Sequence, residues 1–244
     1  MVKLSSFHFL RNGEELAAVP DGKTLINTLN AYSFNMVQHD PDFEAALRGG
    51  DYLLPDGYGM VWGGKRLKMP DRPLERVAGW DFFIIEMGKL NEKGGKVMFM
   101  GSSEKTLGLI RERCERDYPN ITVDTYSPPY KPEFSDEDNA AIVSAINASD
   151  PDLLWIGMTA PKQEKWTWAH WPELDIHCHC GTIGAVFDFY AGTLKRAPLS
   201  WQKHGFEWLY RILQQPRKQW PRLIRYPLFP YRIYKEKLLK AFGK

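Results

Sequence analysis

The 244-residue chain has no run of 18 or more apolar residues. No segment therefore reads as a helix that spans a membrane. The opening stretch "MVKLSSFHFLRNGEEL" lacks a long apolar core, so no secretory signal is expected. Cysteine is scarce. Cys114, Cys178 and Cys180 are odd in number, and the last two are too close for an ordinary bridge. This excludes a disulfide framework and fits a reducing compartment. The phosphate-loop pattern G-x-x-x-x-G-K-[ST] is absent. Gly57-Tyr58-Gly59 is followed by Trp62 where a dinucleotide fingerprint has its third glycine. That counts against the alternative of a nucleotide-cofactor oxidoreductase. Internal repeats and low-complexity segments are also missing. With 43% hydrophobic and 25% charged residues, the composition is that of a globular protein.

Charge is present but unevenly placed. The formal net charge is +2, yet residues 195–244 carry +11 and residues 1–194 carry −9. An acidic body with a basic tail suggests an anionic partner: membrane lipid, a phosphate-bearing substrate or nucleic acid. From Ser200 the composition changes. The tail interleaves Trp220, Tyr226, Phe229, Tyr231 and Tyr234 with arginines and lysines, and four prolines break it. We expect a core over 1–199 and an appendage over 200–244. Within the latter, Phe206, Leu209 and Leu213 share one helical face.

The body alternates apolar strands with helices. Asn12-Gly13 is a turn signal that predicts an N-terminal hairpin. "TLINTLN" (24–30), "DYLLP" (51–55), "KVMFMG" (96–101), "ITVDTYS" (121–127), "PDLLWIGM" (151–158) and "DIHCHCG" (175–181) read as strands. Helices are expected between them, with capping at Ser102 or Ser103 and at Ser135 with Asp138. This pattern predicts an α/β fold: a Rossmann-like, mainly parallel sheet with flanking helices.

Several clusters could carry chemistry. "HCHC" (177–180) holds four potential ligands, but alternate strand residues face opposite ways, so they cannot close on one ion. Three Asp-x-Asp triplets begin at Asp40, Asp136 and Asp150. Each sits at a helix or strand start that explains it, so no metal is expected. "VMFMGSSEKT" (97–106) leads a strand through Gly101 and Ser102 into a helix N-terminus, where backbone amides can hold phosphate; an ordinary capped turn explains it too. Asp56 in "LLPDGYGMVW" follows a buried strand directly. Arg76 in "LERVAGWD" and Asp188 in "GTIGAVFDFYAGTLKRAP" also sit at edges of apolar elements. In an open parallel sheet such edges converge on one crevice.

Taken in order, "LLPDGYGMVW", "ERVAGWDF", "GMTAPKQEKW", "GAVFDFYAGTLKRAP" and "GFEWLYRILQQPRK" resemble the WecG/TagA/CpsF glycosyltransferases, collinearly from about Thr24 to Lys218. The resemblance implies an inverting transferase that moves a hexose-type sugar from a UDP-sugar to a polyprenyl-diphosphate-linked saccharide. It implies a place in bacterial surface or exopolysaccharide synthesis, at the cytoplasmic face of the plasma membrane, with neither metal nor other cofactor. Carried over residue by residue, Asp56 matches the general base and Arg76 a catalytic basic residue. Thr28, Asn30, Gln163 and Asp188 match donor-site positions, and Gly101 and Ser102 are added as candidates for the donor phosphates. Arg211 and Arg217 match arginines that meet the acceptor diphosphate; Arg222 and Arg225 compete for the next such position. Tyr32 departs from the family's acidic or amide residue. The segment between Trp62 and Arg76 and the tail beyond Lys218 also depart from the pattern.

The tail is then expected to meet an anionic membrane surface through its cations and interfacial aromatics. The alternatives are that these aromatics pack on the protein's own core, or that the tail binds nucleic acid. The reading adopted has no nucleic-acid partner. The oligomeric state is left open, a homo-oligomer included.

Overall fold

The computed structural model describes residues 1–203, 207–216 and 225–242. Six apolar segments form one sheet: β1 (Thr24–Leu29), β2 (Tyr52–Pro55), β3 (Gly95–Gly101), β4 (Ile121–Tyr126), β5 (Leu153–Gly157) and β6 (His179–Thr182). The order is β2-β1-β6-β5-β3-β4, and every pairing is parallel. Helices cover both faces, which is why most of these strands are apolar on both sides.

Alternation along the strands divides the core. Val97, Phe99, Leu153 and Trp155 face one side. There they meet α1 (Gly13–Ala17), α5 (Gly79–Lys93), α6 (Glu104–Asp117) and α9 (Val186–Tyr190). Met98, Met100, Leu154 and Ile156 face the other, against α7 (Asp136–Ser149) and α8 (Lys162–His170). A third cluster joins Leu4, Phe7 and Phe9 to α2 (Ala31–Val37), α3 (Pro41–Gly49) and α4 (Tyr58–Leu67). The helix after β3 and the helix after β5 lie on opposite faces. Their loops therefore leave to opposite sides at the carboxyl ends of these neighbouring strands, the place where open α/β sheets bind ligands.

The local signals explain most boundaries. Ser103 caps α6 by accepting from Thr106 N at 3.3 Å. Ser135 and Asp138 form the reciprocal capping box of α7. Asp40 caps α3, and Asp152 accepts from Lys96 N at 2.7 Å. The three Asp-x-Asp triplets therefore have structural employment.

Two expectations are corrected. The N-terminal hairpin is absent: Asn12 instead caps α1, accepting from Glu15 N at 2.9 Å. Glu14 and Glu15 in the first turn favour that helix over a hairpin, because acids there complement its amide end. Second, residues 199–203 form α10 (Leu199–Lys203) and residues 207–214 form α11 (Glu207–Gln214). In α11, Ile212 is buried and Leu213 is 65% exposed, so the inward face is one residue away from the expected stripe. Phe206 lies outside the described residues.

Pro227 and Pro230, contrary to expectation, do not break the last helix. Pro230 sits in the first turn of a helix, Leu228–Ala241, where its missing N–H has no intrahelical partner to lose. Phe229 and Ile233 are buried in the cluster with Leu4 and Phe34. Glu236, 2% exposed, accepts from Leu4 N at 2.7 Å and Ser5 N at 3.0 Å. Of the interfacial aromatics, Phe229 thus packs inward, while Tyr231 and Tyr234 stay exposed. No helix among the described residues is long and apolar enough to cross a membrane.

Candidate active site at the carboxyl edge of the sheet

The exit of β2 builds the centre. Asp56 N donates to Leu29 O at 2.9 Å, which locks the ends of β1 and β2 together. Gly57 follows at φ 105°, a conformation that disfavours any side chain. The chain then turns into α4. Val77 N donates to Pro55 O at 3.1 Å, which brings the neighbouring Arg76 beside the same strand end. A cavity of about 440 Å³ adjoins, lined by Tyr58, Val61, Arg76, Val77 and Asp81 among others.

Asn30 has two tasks. Its Oδ1 accepts from Ser33 N at 3.0 Å and caps α2, while Nδ2 donates to Asp56 Oδ2 at 3.3 Å. Burial pushes the Asp56 carboxyl above the usual range, and the charge of Glu207 adds to this; Asn30, Arg211 and Arg76 pull the other way without prevailing. A carboxyl raised in this way is a stronger base once ionised.

Three arginines are near enough to interact with it electrostatically. Arg76 Nη1 donates to Glu207 Oε2 at 2.9 Å, and Nη2 lies 3.5 Å from Asp81 Oδ2. Arg76 is thus held between two carboxylates, Asp81 and Glu207. Arg196 Nε is 3.8 Å from Glu207 Oε1, Nη2 donates to Gln202 Oε1 at 2.9 Å, and the guanidinium stacks 4.8 Å over Trp80. Arg211 lies 5.2 Å over the Phe189 ring. The buried Nε atoms of Arg196 and Arg211 have no hydrogen-bond partner among the described residues.

The other predicted residues spread along the same edge. Thr28 Oγ1 donates to Thr182 O at 3.4 Å. Gln163 is buried against Gly184 of the loop after β6, and its Nε2 donates to Glu164 Oε1 at 2.9 Å. Gln163 Oε1 and Glu164 Oε2 have no partner among the described residues. Burial raises the Glu164 carboxyl to about 7. Gly101, at φ 120°, packs so tightly on Gly157 that a Cβ would lie 2.5 Å from Gly157 O. Ser102 takes the left-handed region at φ 57°, and its carbonyl accepts from Ser127 Oγ at 2.8 Å. This turn is four strand spacings from β2, about 19 Å. Asp188 Oδ1 accepts from Thr193 Oγ1 at 3.4 Å. Arg225 lines a different cavity, of about 450 Å³, with Asn35, His39 and Arg232 among its walls. Arg217, Arg222 and Trp220 lie outside the described residues.

Reasoning from the sequence missed Arg196, Glu207 and Glu164, although all three lie inside the quoted motifs. A signal existed for Glu207: it stands four residues before Arg211 on one helix face. The "HCHC" segment separates as alternation requires. Cys178 and Cys180 join the cluster facing α7 and α8, while His179 pairs with Glu86.

An all-parallel α/β sheet that gathers a half-buried carboxyl and several arginines at its carboxyl edge has the makings of an enzyme with an anionic substrate. The chain belongs to the glycosyl transferase WecG/TagA/CpsF family, whose sequence model matches residues 4–242. It is similar to an N-acetylglucosaminyldiphosphoundecaprenol N-acetyl-beta-D-mannosaminyltransferase of Bacillus spizizenii, 29% identical over 221 residues, covering 90% of this chain and 82% of the relative. A protein of the same description from Bacillus subtilis is 27% identical over 213 residues, covering 87% and 79%.

Proposed function

We propose that this glycosyltransferase moves an N-acetylmannosaminyl residue from a UDP-sugar to N-acetylglucosamine linked to a polyprenyl diphosphate, in the synthesis of a cell-envelope polysaccharide. The names of its relatives support the acceptor and the sugar; the UDP carrier follows from the family resemblance. The observation that carries the mechanism is the half-buried Asp56 carboxylate at the end of β2, hydrogen-bonded only by the uncharged Asn30 amide among the described residues.

In this reading Asp56 takes the proton of an acceptor hydroxyl. The hydroxyl oxygen forms a bond to the anomeric carbon as the bond from that carbon to the diphosphate breaks. The leaving UDP keeps the electron pair. Attack from the opposite face turns an α-linked donor into a β-linked product, which agrees with the beta-D linkage in the relatives' names. Charge gathers on the diphosphate, and fixed guanidinium groups stabilise it without reorganising. Arg76 serves that role. Thr28, Asn30, Gln163 and Asp188 line the sugar end of the donor, and the Gly101–Ser102 turn before α6, too far along the edge to share the diphosphate with Arg76, meets the nucleoside end. Arg211, with Arg217, Arg222 or Arg225, meets the acceptor diphosphate.

The acceptor is a lipid, so the enzyme works as a peripheral protein on the inner face of the plasma membrane. The exposed Tyr231, Tyr234, Leu238 and Phe242, with lysines between them, suit a headgroup layer. Flotation with anionic vesicles over a salt series tests this; binding to RNA without binding to vesicles would overturn it. The transfer itself is tested with a panel of UDP-sugars and a lipid-diphosphate N-acetylglucosamine acceptor. Product only from UDP-N-acetylmannosamine is expected. Transfer by Asp56→Asn near the parental rate would remove Asp56 as the base.

A further inference from the structure

Around Asp56 stand three cations and one anion whose arrangement the transfer reading does not yet use. Arg76, Arg196 and Arg211 are the cations, and Glu207 is the anion between two of them. Its Oε2 accepts from Arg76 at 2.9 Å, and its Oε1 lies 3.8 Å from Arg196 Nε. The side chains of Arg76, Arg196 and Glu207 are 14%, 20% and 24% exposed, so solvent screens this trio only in part. Asp56, in contrast, has a 3.3 Å bond from an uncharged amide.

We propose that Glu207 is a positioning residue for the transfer: it engages Arg76 and Arg196 so that neither guanidinium closes onto Asp56, and the carboxylate stays free to take the acceptor's proton. This inference rests on the reading of Asp56 as the base. An aspartate paired directly with a guanidinium is held in its charged form and is a poor base. The groups that face Asp56 are Asn30 at the exit of β1, Arg76 before α5, Arg196 before α10, and Glu207 and Arg211 on α11; Asp81 on α5 shares Arg76. Among them Glu207 is the charge that raises the Asp56 carboxyl further.

The test is the pH profile of kcat/KM with the full-length protein, since its acid limb reports the base in the free enzyme. Glu207→Gln keeps the shape and removes the charge. Its acid limb is expected to move to lower pH by about one unit, a tenfold change in the proton affinity of the base, with a lower plateau. Glu207→Asp keeps the charge and is expected to hold the parental limb, whatever it costs in kcat. Arg196→Gln removes a cation and is expected to move the limb the other way, to higher pH. A Glu207→Gln limb that stays in place, or moves together with that of Glu207→Asp, overturns the proposal. If a thermal scan shows Glu207→Gln to be unfolded, Arg196→Gln decides alone: an upward shift supports the proposal and no shift overturns it. Asp56→Asn separates the two readings. Transfer that survives it sinks the base and this inference together. Transfer abolished by it, with an unmoved Glu207→Gln limb, sinks only this inference.

Discussion

At the amino edge of the sheet, Asp51 accepts from Leu25 N and Asp152 from Lys96 N, both at 2.7 Å. Close by, both ring nitrogens of His179 meet acceptors, Glu86 Oε2 at 2.8 Å and Pro20 O at 2.9 Å, and Lys89 holds the other oxygen of Glu86 at 2.8 Å. At the carboxyl edge, Gln163, Glu164, Arg196 and Arg211 each carry a buried polar atom with no partner among the described residues. The same fold thus satisfies its charges where strands begin and leaves them under-bonded where strands end. Unmet buried groups cost free energy. Their concentration at the edge where open α/β sheets bind ligands is the sign of a site awaiting anions and hydroxyls.

The largest expected effect breaks the carboxyl edge. Asp56→Asn should lower kcat by about 10²–10⁴-fold, the usual contribution of a general base, while the thermal midpoint stays or rises, because a partly buried charge has gone. A falling midpoint would mean that Asp56 belongs to the structure rather than to the chemistry.

The next effect breaks the amino edge. His179→Gln should cost about 3 kcal/mol, as removing one partner of a buried pair does, with transfer per folded molecule unchanged. Burial disfavours the charged ring, but Glu86 and Pro20 outweigh it and raise His179 above its ordinary 6.5. For Glu86, burial is likewise outweighed by His179 and Lys89, and its carboxyl is lowered from 4.5. The histidine's contribution is therefore complete below 6.5 and fades as pH rises through its raised value. The glutamate's is complete above 4.5 and fades as pH falls through its lowered value. Urea unfolding at pH 6 and pH 9 should show the His179→Gln penalty shrinking at the higher pH; an equal penalty at both would argue against the ion pair.

A smaller effect sharpens the contrast. Glu164 is raised from 4.5 to about 7, so its fold prefers the protonated acid and loses stability as pH climbs between those values. Glu164→Gln should then stabilise the protein at pH 8 by on the order of 2–3 kcal/mol and hardly at pH 4, measured by unfolding at both. Equal stabilisation at both would point to packing instead of charge. The smallest effect lies outside both edges: Lys235→Gln or Lys237→Gln should each weaken binding to anionic vesicles by about 1 kcal/mol, and less in high salt.

Much of this was legible in the residues. The six strands, the caps at Ser103 and Ser135 and the placement of Asp56 after β2 all follow from signals within a few residues. The hairpin failed because Asn12 serves a turn or a helix cap equally well, and the acids after it favoured the cap. The stripe in residues 200–215 failed because burial there depends on what the helix packs against. Glu207, Arg196 and Glu164 were passed over because their meaning lies in partners far along the chain: Arg76 is 131 positions from Glu207.

By itself, then, the sequence determined the parallel α/β class, the family and the carboxylate at the end of β2. These rest on local periodicity, turn chemistry and collinear motifs, which need no knowledge of distant contacts. The tertiary structure alone decided that Asp56 is half-buried, that Glu207 stands between Arg76 and Arg196, and that the C-terminal helix shares a core with the N-terminal segment. Burial, electrostatic sign and packing are sums over neighbours brought together by folding, and no local stretch of sequence contains them.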